Sequence, residues 1–293
     1  MKSSAEIKGA KMSRVKINSV MRHYGLALSC AAVLALPVAS ARAATVTLVP
    51  HRAVYDLALD HVQGASGVES AHGRIVFELE GAACTGITQT FRQLIVLSGG
   101  EIGAKLIDTQ SVTTEEADGK TMRFSVLNRV GTEPVSQTLG VATRKEESVS
   151  VRLSSPVQSE AHYPSTTLYP GEHYRTLIEA ALKGERFVAR QIFDGADEGQ
   201  SAPQTFTVIG APVQNASSES ALLERAGMAK LKSWPVEIAY FDQEKATVEE
   251  PSYRASMDLL ENGVSTNLRL DYTNFSLRGV LVSLDVSPTP PCP

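Results

Sequence analysis

Long apolar runs are scarce in this sequence: the one at Gly25–Leu36, broken by Ser29, covers about a dozen residues, short of the roughly 20 that a membrane-spanning helix needs. No later stretch is comparable, so the chain is not expected to be an integral membrane protein. Also absent are a Gly-x-Ser-x-Gly elbow, a His-Glu-x-x-His zinc helix, a Walker loop and a dinucleotide fingerprint. The common hydrolase, metalloprotease and nucleotide-binding readings lose their best support, and neither catalytic residues nor a cofactor are expected. Basic clusters are missing as well. Beyond Arg144-Lys145 there is no cationic run, and residues 1–43 carry seven Lys/Arg against one Glu, so their removal takes the net charge from −4 to −10. An acidic surface repels phosphate backbones, which argues against nucleic-acid binding. Cysteine is limited to three residues, Cys30, Cys84 and Cys292, none with histidine or cysteine neighbours at metal-ligand spacing.

The amino-terminal region supplies what the rest lacks. Met21-Arg22-His23 gives a basic start, the apolar run follows, and Ala41-Arg42-Ala43 offers small residues before a cut. This pattern predicts a secretory signal removed near Ala43/Ala44 and a mature chain of residues 44–293 in the periplasm. Translation can start at Met1, Met12 or Met21. Cys30 sits in a poor lipobox, with Ala27 where a large aliphatic is preferred, so lipid anchoring there is disfavoured. Export removes Cys30 and leaves two cysteines in an oxidising compartment, which predicts one disulfide, Cys84–Cys292.

Alternation of apolar and polar residues runs through nearly all of the mature chain and predicts half-buried strands. Clear examples are Tyr55-Leu57-Leu59, Ile75-Phe77-Leu79, Met122-Phe124-Val126, Val149-Val151-Leu153, Val236-Ile238-Tyr240, Leu268-Leu270-Tyr272 and Val280 to Val286. Weaker patterns place further strands at 88–97, 104–115, 134–143, 186–194, 203–210 and 252–260. Asp118-Gly119 and Asn262-Gly263 favour tight hairpins and antiparallel neighbours. One segment follows a helical period instead: Tyr174, Leu177, Ile178, Ala181 and Leu182 share a face within 170–183, opposite Glu172, Arg175, Glu179 and Lys183. Pro170 opens this helix and Gly184 ends it. A short second helix near Leu222–Ala226 is a weaker prediction. The expected fold is all-β, a single domain in which a long antiparallel sheet curls into an open spiral or barrel, with one amphipathic helix as its lid. A sheet of about a dozen strands encloses more space than its side chains fill, and its inner rows would make that space apolar.

Several stretches carry a resemblance. Pro50-His51-Arg52-Ala53-Val54-Tyr55-Asp56-Leu57, the helix from Tyr169-Pro170 to Gly184 with Phe187 to Gly195 after it, Ser233-Trp234-Pro235-Val236, and the last strand with its cysteine are similar to the EipB family. These are alphaproteobacterial periplasmic cell-envelope integrity proteins. The resemblance implies the same early-to-terminal disulfide, an open spiral with an apolar interior similar in shape to periplasmic lipoprotein carriers, and a role in envelope stability. It implies no enzymatic activity and no particular ligand.

Candidate ligand-facing residues are Tyr174, Leu177 and Ile178 on the helix and Trp234 and Tyr240 on a strand, although core packing also explains each. His51, with Arg52 and Tyr55 next to Asp56, reads either as a polar cluster at a cavity mouth or, preferred here, as an ordinary first strand with Tyr55 inward and its charges outward. His61, His72, His162 and His173 have no partner at ligand spacing and read as structural or surface residues. Glu115-Glu116 and Glu249-Glu250 are adjacent on strands, point to opposite faces, and read as solvated surface. Three functions remain open: a carrier for an apolar, lipid-like envelope ligand, an envelope factor that acts by binding a protein partner, and a hydrolase with an unfamiliar site. The oligomeric state is not encoded in any pattern.

Overall fold

The computed structural model of the chain describes residues 46–64, 67–100, 103–213, 219–241 and 250–292. The predicted signal and its cut, Cys30, Glu249 and most of the loop at Asn215–Ser220 lie outside the described residues.

Fourteen strands follow one another along the chain: β1 His51–Val62, β2 Ser70–Ala82, β3 Gly86–Gly99, β4 Gly103–Glu115, β5 Thr121–Val130, β6 Glu133–Arg144, β7 Ser148–Ser155, β8 Ser159–Pro164, β9 Phe187–Gln191, β10 Gln204–Ile209, β11 Ser233–Phe241, β12 Tyr253–Leu260, β13 Ser265–Tyr272 and β14 Phe275–Val286. Helix α1, Pro170–Leu182, separates β8 from β9, and α2, Ser220–Arg225, precedes β11. All strands join one antiparallel sheet in the order β8-β7-β6-β5-β4-β3-β2-β1-β14-β13-β12-β11-β10-β9. The chain therefore winds outward from β1 to β8, resumes at the opposite end of the sheet with β9, and winds inward until β14 pairs with β1. β8 and β9 end the sheet, which does not close.

The sheet curls strongly. Val126 on β5 and Ile238 on β11 line the same interior space, although in a flat sheet eight strand steps would hold them about 38 Å apart. Coiling of this kind needs close backbone approach, and at Gly73 on β2 a Cβ would lie 2.1 Å from the Leu94 carbonyl oxygen of β3. Bulges at Val54/Tyr55, Asn128/Arg129 and Leu139/Gly140 add local twist.

Helix α1 fits its sequence signals. Pro170 occupies the first turn, and the Glu172 carboxylate accepts the Tyr169 amide proton at 3.0 Å. At the other end Gly184 has φ +78°, and the Glu185 amide donates to the Ala180 carbonyl at 2.9 Å, a C-terminal cap that a left-handed glycine allows. Its Leu177, Ile178, Ala180 and Ala181 enter the main core with Ala53, Leu57, Val188, Ile209 and Trp234. Leu182 differs from expectation: it is exposed, at the last position of the helix, while Ala180 and Ala181 of the same turn take the buried side. Arg175 likewise does not pair along the helix with Glu179 but reaches Glu115 of β4 at 3.7 Å. A second core joins Met122, Phe124, Val151, Tyr169 and Phe193, and α2 packs Leu223 onto Leu260 and Val264. Cys84, in the β2–β3 turn, is bonded to Cys292, fastening the segment after β14 to the far end of that hairpin.

Candidate functional site

The curled sheet encloses a cavity of about 340 Å³, at the lower end of the range for small-ligand sites. Inner rows of eight strands, β1 to β5 and β11 to β13, form its wall. Phe77, Phe91, Tyr55, Tyr174, Tyr240 and Tyr253 supply the aromatic surface. Two of them follow directly from strand register. Tyr240 is opposite Tyr253, which is opposite Tyr272, so the rings form a cross-strand ladder with centroids 5.5 and 5.2 Å apart. Phe275 extends the ladder at 4.9 Å, and Gln93 of β3 donates to the Tyr272 hydroxyl at 3.0 Å across the interior. Burial raises the phenol pKa values of Tyr55, Tyr174, Tyr240 and Tyr253, so all remain neutral. Tyr55 donates to the Ser265 carbonyl at 2.8 Å.

The start of α1 and the loop after β9 cover this wall, contributing Pro170, Tyr174, Asp194 and Ala196. Of the residues singled out from sequence, Tyr174 and Tyr240 line the cavity. Leu177, Ile178 and Trp234 are buried in the main core and lie outside the lining. The helix thus reaches the cavity through its first turns and anchors itself through its later ones. His51 also lines the cavity, against the expectation that the charged groups of β1 face outward. Period-2 geometry explains it, since His51 shares the inner row with Ala53, Tyr55 and Leu57, while Arg52 is exposed. Its Nδ1 is 2.8 Å from the Val49 carbonyl, and burial lowers its pKa. Asp194 has no counterpart in the sequence reading, because an aspartate before a glycine in a loop carries no periodic signal.

Glu115 corrects a second expectation. Adjacent glutamates on a strand cannot both face solvent: Glu116 points out and pairs with Arg123 at 2.9 Å, while Glu115 continues the inner row of Thr113 and is buried. The amino terminus of α1 lies on it, and the Gly171 amide donates to Glu115 Oε1 at 2.6 Å. Burial is the main cause that raises its pKa from 4.5 to about 7, opposed by the Gly171 bond and by Arg175. Beside it Arg144 donates to both oxygens of Glu172 at 2.6 Å, to the Gly119 and Thr167 carbonyls at 2.8 Å, and stacks on Tyr169 at 4.6 Å. This cluster clamps the cavity-covering turn of α1 to β4 and β6. His173, on the buried side of α1, has its pKa lowered to about 4 by burial and by Arg190. His61, His72 and His162 are exposed. No group of three or more His, Cys, Asp or Glu side chains among the described residues could hold a metal ion. No helix among them is long and apolar enough to cross a membrane.

These features define an open antiparallel β-spiral whose interior cavity is covered by one amphipathic helix and whose terminal segment is fastened by a disulfide. Known proteins resemble this chain in sequence and fold. The chain belongs to the EipB-like family, whose model matches residues 42–288. It is 35% identical over 251 residues to the cell envelope integrity protein EipB of Brucella abortus, a match covering 86% of this chain and 89% of that protein. The crystal structure of a β-barrel-like protein of a domain of unknown function from Brucella abortus superposes with a TM-score of 0.77 at 34% identity, covering 82% of this chain and 99% of that one.

Proposed function

We propose that the chain is exported and acts in the periplasm as a cell-envelope integrity factor that holds an apolar, lipid-like ligand in the interior of the spiral. The cavity carries the reading: aromatic and aliphatic side chains from seven of its eight strands converge on one space of about 340 Å³ beneath the first turns of α1. The relative's name supports the envelope role. Export is supported by the signal pattern at residues 21–43 and by a family match that begins at residue 42, and the disulfide suits an oxidising compartment. Native mass spectrometry of the protein purified from the periplasm is expected to show a retained lipid-sized mass that organic extraction removes. A folded protein that carries no such mass and binds no apolar fluorescent probe would overturn the carrier reading.

One observation favours the second reading, a factor that works through a protein partner. Phe187 and Phe206 stack at 5.9 Å on β9 and β10, both exposed, at the end of the sheet that β9 forms. Envelope defects caused by changing these two residues, with probe binding intact, would place the function there.

A further inference from the structure

The cavity is apolar along most of its wall but not at its cover. Asp194 is the one carboxylate in the lining. It is held rigidly: Phe193 before it is buried edge-on against Phe124 at 5.2 Å, and Gly195 after it has φ +82°, where a Cβ would come within 2.4 Å of the Phe124 ring. One oxygen, Oδ1, accepts the Ala196 amide proton at 2.9 Å. Burial chiefly, and Asp197 after it, raise its pKa, and no cationic side chain among the described residues offsets the charge. His51, the other titratable group in the lining besides the tyrosines, is kept neutral by burial and turns Nδ1 to Val49.

The tyrosines nearby are also short of partners. Among the described residues the hydroxyls of Tyr174, Tyr240 and Tyr253 make no hydrogen bond to protein, although all three residues line the cavity. They lie within electrostatic reach of one another, and Tyr240 is within reach of Asp194. A purely hydrocarbon ligand would strip water from a carboxylate and three phenols and return nothing. A fatty acid or other anionic head would meet the Asp194 charge. A positively charged nitrogen satisfies the carboxylate, offers hydrogen-bond donors to the phenol oxygens, and is attracted to the faces of the tyrosine rings.

We propose that the cavity selects an amphiphile with a positively charged nitrogen at its head, the nitrogen seated among Asp194, Tyr174 and Tyr240 and the chain running along the aromatic ladder. The inference rests on the reading of the cavity as a ligand site and adds the chemistry of the head.

Titration calorimetry of the disulfide-intact mature protein with octylamine, octanol and octanoate, each below its aggregation limit, tests it. Octylamine is expected to bind about tenfold or more tightly than octanol, the scale of a hydrogen bond to a charged group, and octanoate more weakly than octanol. In Asp194→Asn the ratio of octylamine to octanol affinity should fall to about one, and Asp194→Glu should keep part of the preference. Equal affinity for the three heads in the wild type would overturn the head selectivity and leave the apolar cavity reading standing. Failure of all three to bind would overturn both. The head series is run on the wild type, so its outcome does not depend on the variants folding.

Discussion

Glu115 offers the sharpest test of how the cover of the cavity is held. In the folded chain its carboxyl titrates at about 7 instead of 4.5, mainly because β4 and α1 bury it. The folded state therefore binds more protons than the unfolded state between those values. Stability contributed by the protonated group is fully present below 4.5 and is lost as pH rises through 7. At about 1.4 kcal/mol per unit, the shift amounts to about 3 kcal/mol of stability missing at neutral pH. Glu115→Gln removes the buried charge but keeps an oxygen that can accept the Gly171 amide proton now bound at 2.6 Å. The variant is expected to be more stable than the wild type by up to about 3 kcal/mol at around pH 8, with the gain shrinking toward zero near pH 4. His51 and His173 titrate in both proteins and cancel in the difference. Urea unfolding of the two oxidised proteins across this range, followed by tryptophan fluorescence of the buried Trp234, measures it. A variant that becomes less stable relative to the wild type as pH rises from 4 to 8 would refute the reasoning, since it would show that Arg175 and the helix terminus make the ionised carboxylate a net stabiliser.

Other outcomes follow from the same geometry. His173 is buried with its pKa lowered to about 4, so its contribution to stability is full above 6.5 and is lost as pH falls toward 4; His173→Gln should flatten the acid limb of the stability curve. Glu219 accepts the Asn267 amide proton at 2.8 Å and that of Leu281 at 2.5 Å in a buried position, so Glu219→Ala should cost about 2–6 kcal/mol in chemical unfolding by orphaning both donors, and Glu219→Gln less. Cys84→Ser opens a loop of 208 positions and should cost up to about 5 kcal/mol, read as a lower melting temperature and faster proteolysis after Val286. Leu177 is 1% exposed in the core, so Leu177→Ala should cost about 2–5 kcal/mol and Leu177→Asp should abolish near-ultraviolet circular dichroism.

Much of this architecture is written locally. Alternating residues mark strands because one face of each must leave water, and Pro170 and Gly184 bound α1 because each suits the backbone at its own end of a helix. The Cys84–Cys292 pair follows from an even count once Cys30, which falls in the predicted signal, is set aside. β8 escaped this reading because it is a short edge strand, Ser159–Pro164, whose inner row is only the half-buried Ala161 and Tyr163, too short to set a period. What local pattern does not contain is how far the sheet coils and what lands on its inner rows. Periodicity says that Tyr240 and Leu177 turn inward, but only the curl of fourteen strands decides that one meets a cavity and the other the core. Glu115 is buried because a helix 56 positions later docks on it. Asp194 faces the cavity because its neighbours Phe193 and Gly195 lock onto Phe124, a residue of the opposite arm of the sheet. Strand identity is set by each residue's own neighbours in sequence, whereas the site is made by long-range packing between segments that no short-range pattern relates.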